Sequence, residues 1–233
     1  MEQSKSQFLS IASHEMRTPL SIIRGSSEIM LEEDTIKGNP ELKESITNIL
    51  NASIRLLGIV NDFLDLQSID NGKIILDNKK TNIVNIFQKV ISDMQNIIKE
   101  KNLYIRIKYP GDINDAKYTY DIDPNRLEQI AINLISNAIH YTTQGGIDID
   151  VEDNLNGLKV LIKDTGTGIA EEDQKRLFKK FETGAKFLHS KEFGSGLGLY
   201  IASTLAKIMG HNILLDKSVL GVGSTFAIYL NKK

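Results

Sequence analysis

The sequence predicts a helical hairpin that becomes a four-helix bundle by dimerisation, followed by a separate α+β sandwich. Three observations carry this. Residues 1–67 hold two helical apolar stripes, broken once at Asp34 to Pro40 (DTIKGNP), where Gly, Asn and Pro cluster. A linker follows at 68–80 (SIDNGKIILDNKK). From 81 to 233 helical stretches alternate with short strand-like runs, several of them paired as hairpins.

In the first stripe Leu9, Ala12, Met16, Leu20, Ile23, Ser27 and Met30 follow one another at spacings of three and four. Leu42, Ile46, Ile49, Ser53, Leu56, Val60, Phe63 and Gln67 do the same in the second. Both keep a period near 3.5, the mark of a coiled-coil-like seam. Two such helices joined by a short loop form an antiparallel hairpin, and one hairpin cannot bury both stripes. A second copy completes the bundle, so a homodimer is expected.

Beyond the linker, which holds a strand candidate at Lys73 to Leu76, the spacing predicts a helix over Thr81 to Lys99. Strands are predicted at Leu103 to Lys108 and Lys117 to Ile122. Pro124 to His140 reads as a helix with Asp123 as its cap. Ile147 to Val151 and Leu158 to Lys163 form a strand pair around Asn154 to Gly157. An apolar helix, Leu197 to Met209, precedes two last strands, Ile213 to Asp216 and Ser224 to Leu230.

Composition excludes several classes. Twenty-eight Lys+Arg nearly cancel 30 Asp+Glu, and a net charge of −2 leaves no basic footprint for nucleic acid or an anionic membrane surface. With no cysteine there is no disulfide framework, thiolate metal site or cysteine nucleophile. No run approaches the 18 or so apolar residues of a membrane span, and charges interrupt any signal-peptide core at the N-terminus. The expectation is a cytoplasmic chain, or the cytoplasmic part of a longer and membrane-anchored one, with no direct membrane contact of its own.

At about 100° per residue, His14 falls roughly 160° from the centre of the first apolar stripe, which makes it solvent-facing. Thr18 lies one turn further on the same side, and Glu15 is adjacent. A carboxylate can hold the proton of one ring nitrogen and leave the other free to attack. An ordinary surface histidine beside a surface glutamate looks the same. Pro19, inside the helix, removes a backbone hydrogen bond and suggests a kink.

Phe8 to Leu20 (FLSIASHEMRTPL) resembles the phosphoacceptor box of two-component sensor histidine kinases, F-L-x-x-x-S-H-E-x-R-T-P-L. The resemblance implies that His14 is phosphorylated, that Glu15 assists as base, and that Thr18 positions water when such kinases act as phosphatases.

Four further segments carry chemistry. In NLISNAIHYT, Asn133 and Asn137 share one helical face, where carboxamides can ligate a hard cation or hydrogen-bond a phosphate. Asp164-Thr-Gly-Thr-Gly-Ile169 follows a strand, and its glycines allow the backbone close to a ligand. Gly194-Ser-Gly-Leu-Gly-Leu199 opens a helix whose amides and dipole suit a phosphate. It lacks the βαβ context of a dinucleotide fold and the lysine of a P-loop. Gly221-Val-Gly-Ser-Thr-Phe226 reads equally as a hairpin turn.

Taken in order with Phe178 and Phe181, these segments resemble the ATP-binding domain of the same kinases, within the superfamily that includes gyrase B and the mismatch-repair ATPases. The resemblance implies ATP and Mg²⁺ as cofactors. Asp164 would then bind the adenine amino group, with Gly166, Gly168 and Ile169 closing on the base, and Asn137 would coordinate Mg²⁺ beside Asn133. Tyr141 and Thr225 belong to the same boxes. Gly194, Gly196, Leu197 and Gly198 would meet the phosphates beneath a lid over 170–193, packed down by Phe178 and Phe181. Two positions depart from the pattern: His140 stands where a lysine is usual, and the segment after Phe181 has no arginine, so Lys186 is the expected substitute. The implied partner is the receiver domain of a response regulator. A kinase-impaired phosphatase or scaffold of the same fold, and a clamp-type ATPase, are the alternatives.

Overall fold

A computed structural model describes the backbone of residues 2–180 and 196–232, and the side chains of 16–180 and 196–232. The chain divides near Ile74 into two compact units, each described by itself.

The first unit holds α1 (Glu2–Glu32), α2 (Asp34–Lys37) and α3 (Pro40–Asp70). Helix α1 runs through Pro19 without ending. The break expected over 34–40 contains one helical turn, α2. Asn39 then starts α3, its side chain accepting the Leu42 N–H at 3.1 Å with Pro40 at the first helical position. That helix extends past the expected Gln67 to Asp70, where Asn71 and Gly72 (φ 60°) stop it. Arg17 donates to Asn61 Oδ1 at 2.8 Å, so the middle of α1 lies beside the later part of α3.

The two apolar stripes split by heptad position. Ser27 on α1 and Ile46, Ser53 and Val60 on α3 are buried within the hairpin. Their hydroxyls are satisfied locally, Ser27 Oγ donating to Ile23 O and Ser53 Oγ to Leu50 O. The alternate rows, Met16, Ile23 and Met30 on α1 and Leu42, Ile49 and Leu56 on α3, stay 42–51% exposed.

The second unit is a two-layer α+β sandwich. Its five-stranded sheet has the order β2-β4-β5-β7-β6. The strands are β2 (Tyr104–Lys108), β4 (Gly146–Asn154), β5 (Gly157–Asp164), β6 (Asn212–Val219) and β7 (Gly223–Asn231). All neighbours are antiparallel except β2 and β4, which run parallel. A short pair, β1 (Lys79–Asn82) with β3 (Thr119–Ile122), stands apart. Helices α4 (Ile83–Asp93), α5 (Gln95–Glu100), α6 (Pro124–Tyr141), α7 (Glu171–Gln174) and α8 (Gly198–Ile208) complete it.

Strand alternation sets the layers. Ile147, Ile149 and Val151 on β4, Leu158, Val160 and Ile162 on β5, and Phe226, Ile228 and Leu230 on β7 are buried at period two. They meet Leu127, Ile130, Leu134 and Ile135 of α6 and Ile201 and Leu205 of α8. The opposite sheet face carries ion pairs such as Arg106–Asp148, Lys163–Asp150 and Lys159–Asp216.

Three expected elements shift. No strand forms at 73–76; pairing begins at Lys79, where β3 supplies a partner. The helix expected over 81–99 starts at Ile83, because the Asn82 side chain accepts the Val84 and Asn85 N–H groups, and it breaks at Met94. Residues 116–118 form a 3₁₀ turn, so the strand there begins at Thr119. The expected hairpins are joined by a parallel pair, β2–β4, for which the sequence predicts no pairing.

Candidate functional site

His14 and Glu15 lie within α1, but their side chains are outside the described residues, and so is the expected outward orientation of the imidazole. Thr18, one turn on, is exposed.

In the second unit, most of the remaining predicted residues gather at one end of the sheet. Asp164 closes β5, a central strand. Its Oδ1 accepts the backbone N–H of Gly166 at 2.9 Å and of Ser224 at 3.1 Å, while no hydrogen bond among the described residues falls on Oδ2. Burial pushes the carboxyl above its ordinary value, and the two N–H bonds pull the other way. One oxygen is therefore fixed from behind, and the other is engaged by none of the described residues.

The loop after Asp164 is bound on both sides. Thr167 N donates to Tyr141 O at 3.2 Å, and Gly221 N donates to Thr167 O at 2.7 Å. Ile169 N donates to Ser218 Oγ at 2.8 Å. Gly168 has φ 65°, and a Cβ there would stand 2.0 Å from Val219 O, so no side chain fits.

Helix α6 brings the amides. Buried Asp123 caps it, with Oδ1 accepting from Asn125 N and Arg126 N and Oδ2 accepting from Asp77 N. Asn133 and Asn137 are half-buried one turn apart. A Cβ on Gly198 would lie 2.8 Å from Asn133 Oδ1, so the Asn133 carboxamide sits at the opening of α8. Tyr141, whose hydroxyl burial shifts upward, ends α6 with the His140 ring edge-on at 5.1 Å. Lys101 Nζ donates to the carbonyls of Ile139 (3.0 Å) and His140 (3.3 Å), a cation at the negative end of the helix.

Phe178 packs edge-on against Phe226 with centroids 6.4 Å apart, and half-buried Thr225 follows Ser224 on β7. Gly196 (φ 69°) and buried Leu197 lead into Gly198 at the N-terminus of α8. Phe181, Lys186 and Gly194 lie outside the described residues. Two contributors escape sequence reasoning, Lys101 and Ser218, neither within a glycine or amide box; Ser224 lies inside the Gly221 to Phe226 segment, but spacing alone does not single it out. A cavity of about 730 Å³ lined by Lys117, Asp153, Asn156 and Lys232 lies at the opposite end of β5 and contains none of these residues.

A carboxylate held through one oxygen, a tight glycine loop, and a carboxamide at the opening of a helix are group types that suit a purine amine and phosphate oxygens. The class this defines is a nucleotide-binding α+β domain preceded by a helical hairpin. Residues 4–72 match the His Kinase A (phospho-acceptor) domain. Residues 122–233 match the histidine kinase-, DNA gyrase B- and HSP90-like ATPase. The chain belongs to the sensor histidine kinases, of which it has the phosphoacceptor and ATPase domains.

Among relatives, it is 34% identical over 232 residues to the signal transduction histidine-protein kinase BarA of Escherichia coli K12, covering 97% of this chain and 24% of BarA. It thus spans about a quarter of that relative's length. The structure of full-length ShkA in complex with AMPPNP matches with a TM-score of 0.73 at 27% identity, covering 95% of this chain and 45% of ShkA. ThkA in complex with the response regulator protein TrrA matches with a TM-score of 0.63 at 25% identity, covering 97% and 61%. No described helix is long and apolar enough to cross a membrane.

Proposed function

We propose that this chain is the catalytic core of a sensor histidine kinase that transfers the γ-phosphoryl group of ATP to His14 and then to an aspartate of a response regulator. Its domains are a phosphoacceptor hairpin over 1–67, a linker over 68–80 and an ATP-binding domain over 81–233. The observation that supports it best is the Asp164 carboxylate, fixed through Oδ1 at the end of β5, with the Asn133 amide and the α8 N-terminus beside the same sheet end.

Asp164 Oδ2 accepts a hydrogen bond from the adenine amino group, and Gly166, Gly168 and Ile169 line the base with Tyr141. The N–H groups of Gly196, Leu197 and Gly198 face the phosphates, with Gly194 and Thr225 as further contributors. Phe178 and Phe181 pack the intervening segment, and Lys186 supplies a cation there in place of an arginine. His140 is a weaker and pH-dependent phosphate neighbour than a lysine.

Asn137, a half-buried carboxamide beside Asn133, has the hard oxygen donor that magnesium takes when it is held by one or two protein oxygens and the substrate's phosphates. When bound, magnesium supplies charge neutralisation on those phosphates. His14 Nε2 attacks the γ-phosphorus, the bond to the bridging β,γ-oxygen breaks, and ADP leaves. Glu15 holds the proton on Nδ1 so that Nε2 carries the lone pair. Positioning and electrostatics dominate such a transfer. Thr18 orients water for dephosphorylating the regulator.

Two copies form the active unit. The exposed rows Met16, Ile23, Met30 and Leu42, Ile49, Leu56 give each hairpin an apolar face that a second hairpin covers. The kinase reading is tested by a nucleotide-binding titration of Asp164→Asn: ATP affinity falls at least about tenfold if Asp164 receives the adenine, as loss of a hydrogen bond to a charged group implies. Unchanged affinity would contradict it.

A further inference from the structure

Ser218 is outside every box that suggests nucleotide binding, yet the chain goes to some length to aim it. Strand β6 pairs regularly with β7 from Asn212↔Tyr229 to Leu215↔Phe226, then shifts register between Leu215 and Lys217. The extra residue is Asp216. Successive strand residues alternate faces, so without the bulge Ser218 would share the ion-paired face of the sheet. With it, Ser218 pairs with Ser224 and falls on the same side as Ile213, Leu215 and Phe226.

There Ser218 Oγ does three things. It accepts the Ile169 N–H at 2.8 Å, lies 3.0 Å from Ser224 Oγ, and is 3.4 Å from Gly223 O. Ser224 is buried and donates its own backbone N–H to Asp164 Oδ1. One hydroxyl pair thus ties the far end of the Asp164–Ile169 loop to the strand that orients the Asp164 carboxylate. The Gly221 N–H to Thr167 O bond fixes only the middle of the loop.

We infer that Ser218 is a positioning residue for nucleotide recognition, holding the Asp164–Ile169 loop so that the Asp164 carboxylate and the glycine backbone meet a purine amine in register. It touches no reacting atom. The inference rests on the reading of Asp164 as the adenine acceptor.

The test compares phosphorylation kinetics of the full chain and its Ser218→Ala, Ser218→Thr and Asp164→Asn variants with ATP and with inosine triphosphate, which has a carbonyl in place of the amino group. Removing the hydroxyl orphans the Ile169 N–H, which is worth about tenfold in affinity. Ser218→Ala therefore raises the ATP KM about tenfold, leaves kcat within about twofold, and narrows the preference for ATP over inosine triphosphate. Ser218→Thr, which keeps the hydroxyl, restores both. A lower melting temperature with KM and preference unchanged would mean a purely structural role and overturn the inference. Should Ser218→Ala fail to fold, Ser224→Ala carries the test, since it removes only the hydroxyl partner; a smaller rise in KM supports the inference and an unchanged KM overturns it. If Asp164→Asn itself leaves the preference intact, the adenine reading is the part that fails.

Discussion

The backbone N–H of Ser224 donates to Oδ1 of Asp164 at 3.1 Å across sixty residues of chain. With Gly166 N on the same oxygen at 2.9 Å, the carboxylate is orientated, among the described residues, by main chain alone. An asparagine at 164 offers the same oxygen acceptor to both N–H groups without a buried charge.

Asp164→Asn is therefore expected to separate stability from binding. Its melting temperature at neutral pH equals or exceeds that of the parent, while ATP affinity falls at least about tenfold. Calorimetry with and without ATP checks both. A cooperative loss of stability would show that the charge itself is structural.

The pH dependence follows from the same group. Burial raises the folded-state pKa of Asp164 above 3.8, the value for the unfolded chain. Between the two values the folded state binds more protons than the unfolded, so stability falls as pH rises through that window. Its favourable contribution is complete below the unfolded pKa and lost above the folded one. Nucleotide binding runs the opposite way, because the ionised carboxylate is the acceptor. ATP affinity should weaken on acidification at a higher pH than an ordinary aspartate would cause, and Asp164→Asn should remove that step in a titration from pH 7 downward.

Asp123 caps α6 through Oδ1 and receives the Asp77 N–H through Oδ2. Asp123→Ala removes both and should cost about 1–2 kcal/mol, the upper range for a lost cap. For a unit of this size that is a fall of roughly 2–8 °C in Tm. Asp123→Asn, which retains one acceptor, should recover part of the loss.

The alternate heptad rows of the hairpin predict assembly. Ile49 and Leu56 are 51% and 48% exposed on α3. An Ile49→Glu, Leu56→Glu double variant should sediment as a monomer where the parent is a dimer, with the melting of the ATP-binding unit unchanged. A parent that sediments as a monomer would remove the basis for the bundle.

Thr18→Ala should leave phosphorylation of the chain intact and slow dephosphorylation of the regulator, since a water-positioning hydroxyl has no part in the forward transfer. Equal loss of both activities would place Thr18 elsewhere in the chemistry.

What the sequence displays and what it hides follow from range. The helix cap at Asp123, the stripes of α1 and α3 and the glycine turns are encoded within a few residues, and they are legible by spacing. Strand β1, the polar KKTN, has no alternation of its own and exists because β3 lies opposite. Lys101 reaches the end of α6 from 38 and 39 residues away, and Ser218 faces the Asp164 loop only because of a bulge two residues earlier. Neither contact leaves a local mark. The boxes around Asp164 and Asn133 stand out because close backbone approach restricts residue type, as Gly168 shows against Val219 O.

The central claim is that His14 receives phosphate from ATP. Incubation with γ-labelled ATP and Mg²⁺, followed by acid and alkali treatment, tests it beside a His14→Gln variant. The account predicts protein-bound label that survives alkali, is lost in acid and is missing from the variant. Label retained in His14→Gln, or free phosphate released with no protein label, would contradict it.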